Sequence, residues 1–150
     1  MRIEVRNGYV ILDGYVNAVG RDSRELSSPH GKFVEQIKPG VFTKAIERAQ
    51  NVNLLLNHDK QKKLGSTKEG NLELFEDNIG LRAICKVTDP HVIEKAKKKQ
   101  LRGWSFGMHV TDDEMEERAN SIPRRNVNDL ELEEVSIIDD TMIPCYYGTS

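Results

Sequence analysis

Short stretches in which apolar residues alternate with polar ones, or run together, occupy most of this chain. Helical spacing is confined to a segment opening at Pro39-Gly40 and another opening at Asp89-Pro90. Residues 1–19 carry the hairpin signals Asn7-Gly8 and Asp13-Gly14, which tolerate the positive φ angles of primed turns, so two or three short strands are expected there. From 21 to 38 the sequence turns polar, and Ser27-Ser28-Pro29-His30-Gly31 reads as an exposed loop. Phe42, Ala45, Ile46 and Ala49 then form one apolar stripe of a short helix. Val52-Asn53-Leu54-Leu55-Leu56 is a strand that ends in Asn57-His58-Asp59. Leu64 to Thr67, Asn71 to Leu74 and Leu81 to Val87 follow as strands divided by Glu69-Gly70 and Asn78-Ile79-Gly80, the pattern of an antiparallel meander.

Asp89 is placed to cap the second helix, with Pro90 in its first turn and Val92, Ile93 and Ala96 on its buried side. Lys95, Lys97, Lys98 and Lys99 near its end read as a solvated face that complements the helix dipole. Gly103 to Val110 is a strand, residues 111–128 read as an exposed, mobile charged loop, and Leu130 to Ile138 restores strand character. The expected fold is therefore mainly β with flanking helices (α+β), in a single domain spanning 1–150.

Composition removes several functions. A formal charge of −2 argues against a basic nucleic-acid binder, and 6% aromatic residues, mostly in strand-like positions, supply no stacking platform, so no direct nucleic-acid contact is expected. No apolar run approaches membrane-spanning length and Met1-Arg2-Ile3-Glu4 lacks a signal-peptide core, so a cytosolic location without membrane contact is expected. Cys85 and Cys145 fit free thiols and have no metal-binding spacing; Cys85 reads as a buried small hydrophobe, and Cys145 sits too far from any histidine to act as a nucleophile. The carboxylates between 112 and 117 lack the spacing of a calcium loop, so neither a metal nor an organic cofactor is expected.

The remaining chemistry centres on Gly103-Trp104-Ser105-Phe106-Gly107. Glycines two residues either side of a serine leave open space beside its Oγ, and the strand period puts Ser105 on the face opposite Phe106, Met108 and Val110. Serine is a poor nucleophile unless a base takes its proton, and the base works best when a carboxylate holds its second nitrogen. His58, at the mouth of a strand, is rigidly held yet reachable. On the last strand, alternation puts Glu134 on one side with Leu130, Leu132, Ser136 and Ile138, and a carboxylate among leucines needs a partner. Glu131, Glu133, Val135 and Ile137 take the other side. His109 reads as structural or substrate-facing, His30 and His91 as exposed, and Arg124 and Arg125 as surface residues that could alternatively donate to an oxyanion.

Several stretches in this order resemble the prohead serine proteases of tailed bacteriophages, related in fold to the herpesvirus assemblins. They are Gly14-Tyr15-Val16, Glu35 to Phe42, Leu55-Leu56-Asn57-His58-Asp59 with Leu64 to Thr67, Gly103 to Gly107, and Leu132 to Ile137. The resemblance implies a mostly antiparallel β-barrel flanked by helices, with Ser105 as nucleophile, His58 as base and Glu134 as the third member; Glu133 is the competing acid, and alternation favours Glu134. It implies an endopeptidase that cuts capsid scaffold or the major capsid protein precursor, and commonly itself, inside the assembling prohead in the bacterial host cytoplasm. Self-association as a dimer follows from the same likeness. The ending Ile143-Pro144-Cys145-Tyr146-Tyr147 lacks the small residues often found there, as a self-trimmed or shortened form would. The alternative is a noncatalytic capsid-assembly or scaffold protein that keeps the fold without turnover.

Overall fold

The computed structural model describes residues 1–143; Cys145 and the rest of the tail beyond Ile143 lie outside the described residues. In chain order the elements are β1 (Arg2–Arg6), β2 (Tyr9–Ala18), β3 (Leu26–Ser28), β4 (Gly31–Ile37), α1 (Val41–Arg48), β5 (Asn53–Leu56), β6 (Asp59–Ser66), β7 (Leu72–Glu76), β8 (Gly80–Val87), α2 (Pro90–Lys97), β9 (Leu101–Glu116) and β10 (Arg124–Asp139). The two helices form as their patterns dictate. Asp89 caps α2 by accepting from the backbone N–H of His91 and Val92, and Pro90 costs nothing in the first turn, where its missing N–H has no partner to lose. In α1 the stripe Val41, Phe42 and Ala45 is buried, and Phe42 meets Phe106 edge to face with ring centroids 5.5 Å apart.

The strands form an antiparallel sheet, β1-β2-β8-β7, and a mixed one, β3-β4-β10-β5-β6, with β9 added to β10. One edge of β10 is covered by β9; the other pairs in parallel with β4 at its beginning and with β5 near its end. Pairing is mostly antiparallel, as expected, but the closed barrel is not formed. The two sheets curl about a shared core without a continuous ladder joining them. They meet at corners: Gly20 N–H bonds Ile37 O, Ser23 N–H bonds Glu35 O, and the Asn71 amide donates to both Leu64 O on β6 and Lys86 O on β8. Asn71 lies where a Cβ on Gly65 would stand, 2.0 Å from its nearest atom, so the glycine is what admits this bridge. The expected meander breaks after β6, which pairs with β5, whereas the β7–β8 hairpin joins β2.

Strands run into two segments expected as loops: the exposed loop expected over 27–31 narrows to the turn Pro29-His30, and most of 111–128 is ladder. Residues 26–28 and 31–37 make the β3–β4 hairpin, in which buried Glu35 interrupts the apolar alternation and pairs with Arg125 at 3.3 Å. Over 111–128, β9 runs on to Glu116 and β10 begins at Arg124, leaving only 117–123 between them. Charge complementarity replaces apolar periodicity in this ribbon. Arg124 binds Glu116 on β9 and Asp22 on the loop between β2 and β3, and Arg125 binds Asp113 as well as Glu35. Lys95 also departs from the solvated face expected of it: its side chain is 16% exposed and pairs with Asp139 and Asp140.

The core cluster includes Leu130 and Leu132 on β10, then Val135 and Ile137. That change of phase is a β-bulge. Leu132 opposes Met108 and Glu134 opposes Gly107, with Glu133 as the extra, exposed residue. Beyond the bulge every side chain on β10 changes sides, so Glu134 and Ser136 face away from the leucines. The alternation expected from the sequence is corrected here: Glu134 does not share a face with Leu130 and Leu132.

Candidate active site

His58 occupies the second position of a two-residue turn joining β5 to β6, closed by the pair Leu56 and Asp59. Asn57 and His58 both have positive φ, 54° and 61°, as a primed hairpin turn requires, and Asn and His are among the few non-glycine residues that enter this region. Three bonds to the end of β10 fasten the turn. Asn57 N–H donates to Ile137 O, Asp139 N–H donates to Asn57 Oδ1, and His58 N–H donates to Ser136 Oγ. The imidazole is thus carried by a two-residue turn rather than by a long loop.

His58 Nδ1 contacts Glu134 Oε1 directly. With the Nδ1 proton directed at a carboxylate, the neutral ring presents Nε2 as a proton acceptor. The second carboxylate oxygen, Oε2, accepts from Ser136 Oγ at 2.6 Å. Gly107, across the ladder, makes room for this carboxylate, because a Cβ there would stand 2.8 Å from Glu134 Oε1. Gly107→Ala is expected to slow reactions of the site at least about tenfold by displacing the carboxylate from His58, with a stability loss of about 1 kcal/mol, since the strand conformation itself accepts alanine. Parallel measurement of fluorophosphonate reactivity and thermal unfolding separates the two effects.

Ser105 is the cross-strand partner of Ser136 and is 8% exposed. Cα atoms so paired lie about 5 Å apart, which sets Ser105 beside the residue that touches both His58 and Glu134. Among the described residues its Oγ has no hydrogen-bond partner. Ser136, by contrast, is fully buried, donates its proton to a carboxylate and accepts a backbone N–H, so its hydroxyl is already engaged in both senses. The other residues considered from the sequence lie elsewhere. Glu133 is exposed on the bulge; His109 is exposed, four residues or about 13 Å along β9 from Ser105. Arg125 is nine residues or about 30 Å from Glu134 along β10, and both arginines are engaged in ion pairs, which removes them as oxyanion donors. No group of three or more His, Cys, Asp or Glu side chains among the described residues could hold a metal.

Asp139 was not singled out from the sequence. It is buried, its N–H holds Asn57, and its carboxylate accepts from the Thr141 hydroxyl and N–H and lies 3.5 Å from Lys95. Burial by itself would raise its pKa; the bonds from Thr141 and Asn57 and the Lys95 charge outweigh it and hold the carboxyl at about 2 against an ordinary 3.8. A depressed folded-state pKa contributes stability that is complete above the unfolded value and lost as pH falls toward the folded one. Asp139→Asn is therefore expected to be about 2 kcal/mol less stable than wild type at neutral pH, with the difference shrinking below pH 3.8 and gone near pH 2. Denaturant unfolding across that range checks it. An aspartate directly after an apolar strand was the only available sign.

Among curated proteins and among solved structures, nothing matches this chain. A family model does: that of the caudovirus prohead serine proteases, and it aligns with residues 1–150, so the match takes in the β5–β6 turn, the bulged strand and the glycine-flanked serine together. By that match over its whole length, the chain belongs to the caudovirus prohead serine protease family.

Proposed function

We propose that this chain is a serine endopeptidase in which Ser105 is the nucleophile, His58 the general base and Glu134 the carboxylate that orients and charge-stabilises the imidazole. The observation that carries the proposal is the His58–Glu134 contact on the sheet face where Ser105 lies directly across from Ser136. With Nδ1 held by the carboxylate, Nε2 is the nitrogen left to take the proton of Ser105 Oγ, which has no hydrogen-bond partner among the described residues. In the first step Oγ attacks a peptide carbonyl, its proton passes to Nε2, and the resulting tetrahedral oxyanion collapses to an acyl-enzyme as the protonated imidazole gives that proton to the leaving amine. Water, deprotonated by the same nitrogen, then releases the acyl group and restores the serine. Glu134 stays ionised throughout and balances the imidazolium each time it forms.

The substrates are extended segments of the capsid scaffold or the major capsid protein precursor, and the chain's own polypeptide, cut inside the assembling prohead in the host cytoplasm. Family membership supports this choice. No helix among the described residues is long and apolar enough to cross a membrane.

The test is phosphonylation by an alkyl fluorophosphonate. Ser105 Oγ forms a bond to phosphorus, fluoride leaves and the serine proton passes to His58, so intact mass should rise by one phosphonyl group and peptide mapping should place it on Ser105. An inert wild-type chain, or modification elsewhere, favours the noncatalytic assembly protein instead.

A further inference from the structure

We infer that Ser136 is a positioning residue for this reaction, holding the imidazole by its backbone and the carboxylate by its second oxygen at once; the inference rests on the catalytic reading above. Ser136 lies near the end of β10 between the core residues Val135 and Ile137, with Ser105 across the ladder on one side and Leu55 on the other. Its relative exposure is 0%. A hydroxyl so placed costs free energy unless both its donor and its acceptor capacity are used, and alanine would fill a buried strand position without that liability.

Both capacities are used, and in a fixed sense. An ionised carboxylate only accepts, so the Ser136 proton points to Glu134 Oε2 at 2.6 Å; a backbone N–H only donates, so the lone pair receives His58 N–H at 3.0 Å. Neither bond can reverse, and the hydroxyl has a single rotor position. With the Glu134 Oε1 contact to Nδ1, the bonds close a ring that runs from the His58 backbone through Ser136 and Glu134 to the His58 side chain. The plane of the imidazole is thereby tied to its own main chain, in a turn whose left-handed backbone needs outside support.

Two consequences follow for the chemistry. First, Glu134 has both oxygens committed and does not swing toward Ser105 Oγ, where it would compete with Nε2 for the serine proton. Second, a neutral donor on Oε2 fixes the orientation of the carboxylate against the imidazole without adding a charge of its own. Ser136 acts through its two neighbours and touches no substrate, so most of its effect must be lost when the carboxylate it holds is gone.

The experiment is a double-mutant cycle on the rate of Ser105 phosphonylation by an alkyl fluorophosphonate, read by intact mass, with Ser136→Ala, Glu134→Ala and the pair. Ser136→Ala is expected to slow labelling by about 10- to 50-fold. In the Glu134→Ala background the same change is expected to cost less than about twofold, because most of its influence runs through the carboxylate. A purely structural role predicts equal losses in both backgrounds, and that outcome overturns the inference, as does Ser136→Ala labelling at the wild-type rate. Ser136→Cys, nearly isosteric but a weak donor, is the second variant should the alanine protein fail to fold; it is expected to label about tenfold slower with an unchanged thermal midpoint, and wild-type labelling by it also overturns the inference. If the wild-type chain itself does not label, the catalytic reading falls and this inference with it, a result distinct from a reactive wild type matched by its Ser136 variants.

Discussion

Ser105→Ala is expected to abolish precursor cleavage, lowering kcat/KM by about 10⁴- to 10⁶-fold, while the thermal midpoint stays within about 2 °C of wild type. The two halves of this expectation come from the same observation. Ser105 Oγ has no hydrogen-bond partner among the described residues, so its removal leaves no buried donor or acceptor unmet, and the site keeps its His58, Glu134 and Ser136 bonds. The atom matters only when a carbonyl is beside it. Co-expression with the capsid or scaffold precursor, followed by mass analysis of the precursor, checks the activity; calorimetry of the purified variant checks the fold. A precursor processed at the normal rate by the alanine variant would remove Ser105 from the chemistry. A variant that loses both cleavage and fold would instead make Ser105 a packing residue.

Much of this arrangement was legible because local patterns carried it. The capped start of α2, the stripe on α1, the Asn57-His58 turn after three leucines and the serine between glycines each depend on neighbours within a few residues, where side-chain period and turn chemistry act directly. The ribbon was not legible, since its pairing rests on Arg124 and Arg125 meeting Glu116, Asp113, Asp22 and Glu35 from three separate segments. Charged ladders have no apolar period, and a run of charges is read as solvated. The parallel pairings of β10 with β4 and β5 also join distant segments and leave no mark on either strand alone.

Glu134 was selected from the sequence on an argument that the bulge reverses. Strict alternation set it beside Leu130 and Leu132, whereas the core holds Leu130, Leu132, Val135 and Ile137, with a step of three between Leu132 and Val135. That step was visible, and a bulge is its simplest physical explanation, because a strand that keeps burying its apolar side chains across an odd step must insert one residue. The inserted residue is Glu133. The bulge therefore does more than bend β10: it turns a carboxylate out of the core face and onto the face that carries His58 and Ser105, opposite the glycine that leaves space for it.

The adjacent glutamates consequently make the second large prediction. Glu134→Gln is expected to lower kcat by about 10³- to 10⁴-fold, and Glu133→Gln to leave it within about twofold of wild type. An amide at position 134 is nearly isosteric, so the fold and the room beside Gly107 are kept. It no longer carries the charge that balances an imidazolium, and its NH₂ group can donate to Nδ1, which would move the ring proton to Nε2 and leave no base facing Ser105. KM should change far less than kcat, since Glu134 is 13% exposed and turned toward the histidine rather than toward a bound chain. Glu133, on the solvent side of the bulge, has no such contact with His58. Steady-state cleavage of the precursor by the two purified variants decides between them: loss at 133 with retention at 134 would show that the phase of β10 at the site is the reverse of the one described, and equal retention at both would reduce the site to a serine and a histidine acting without an acid.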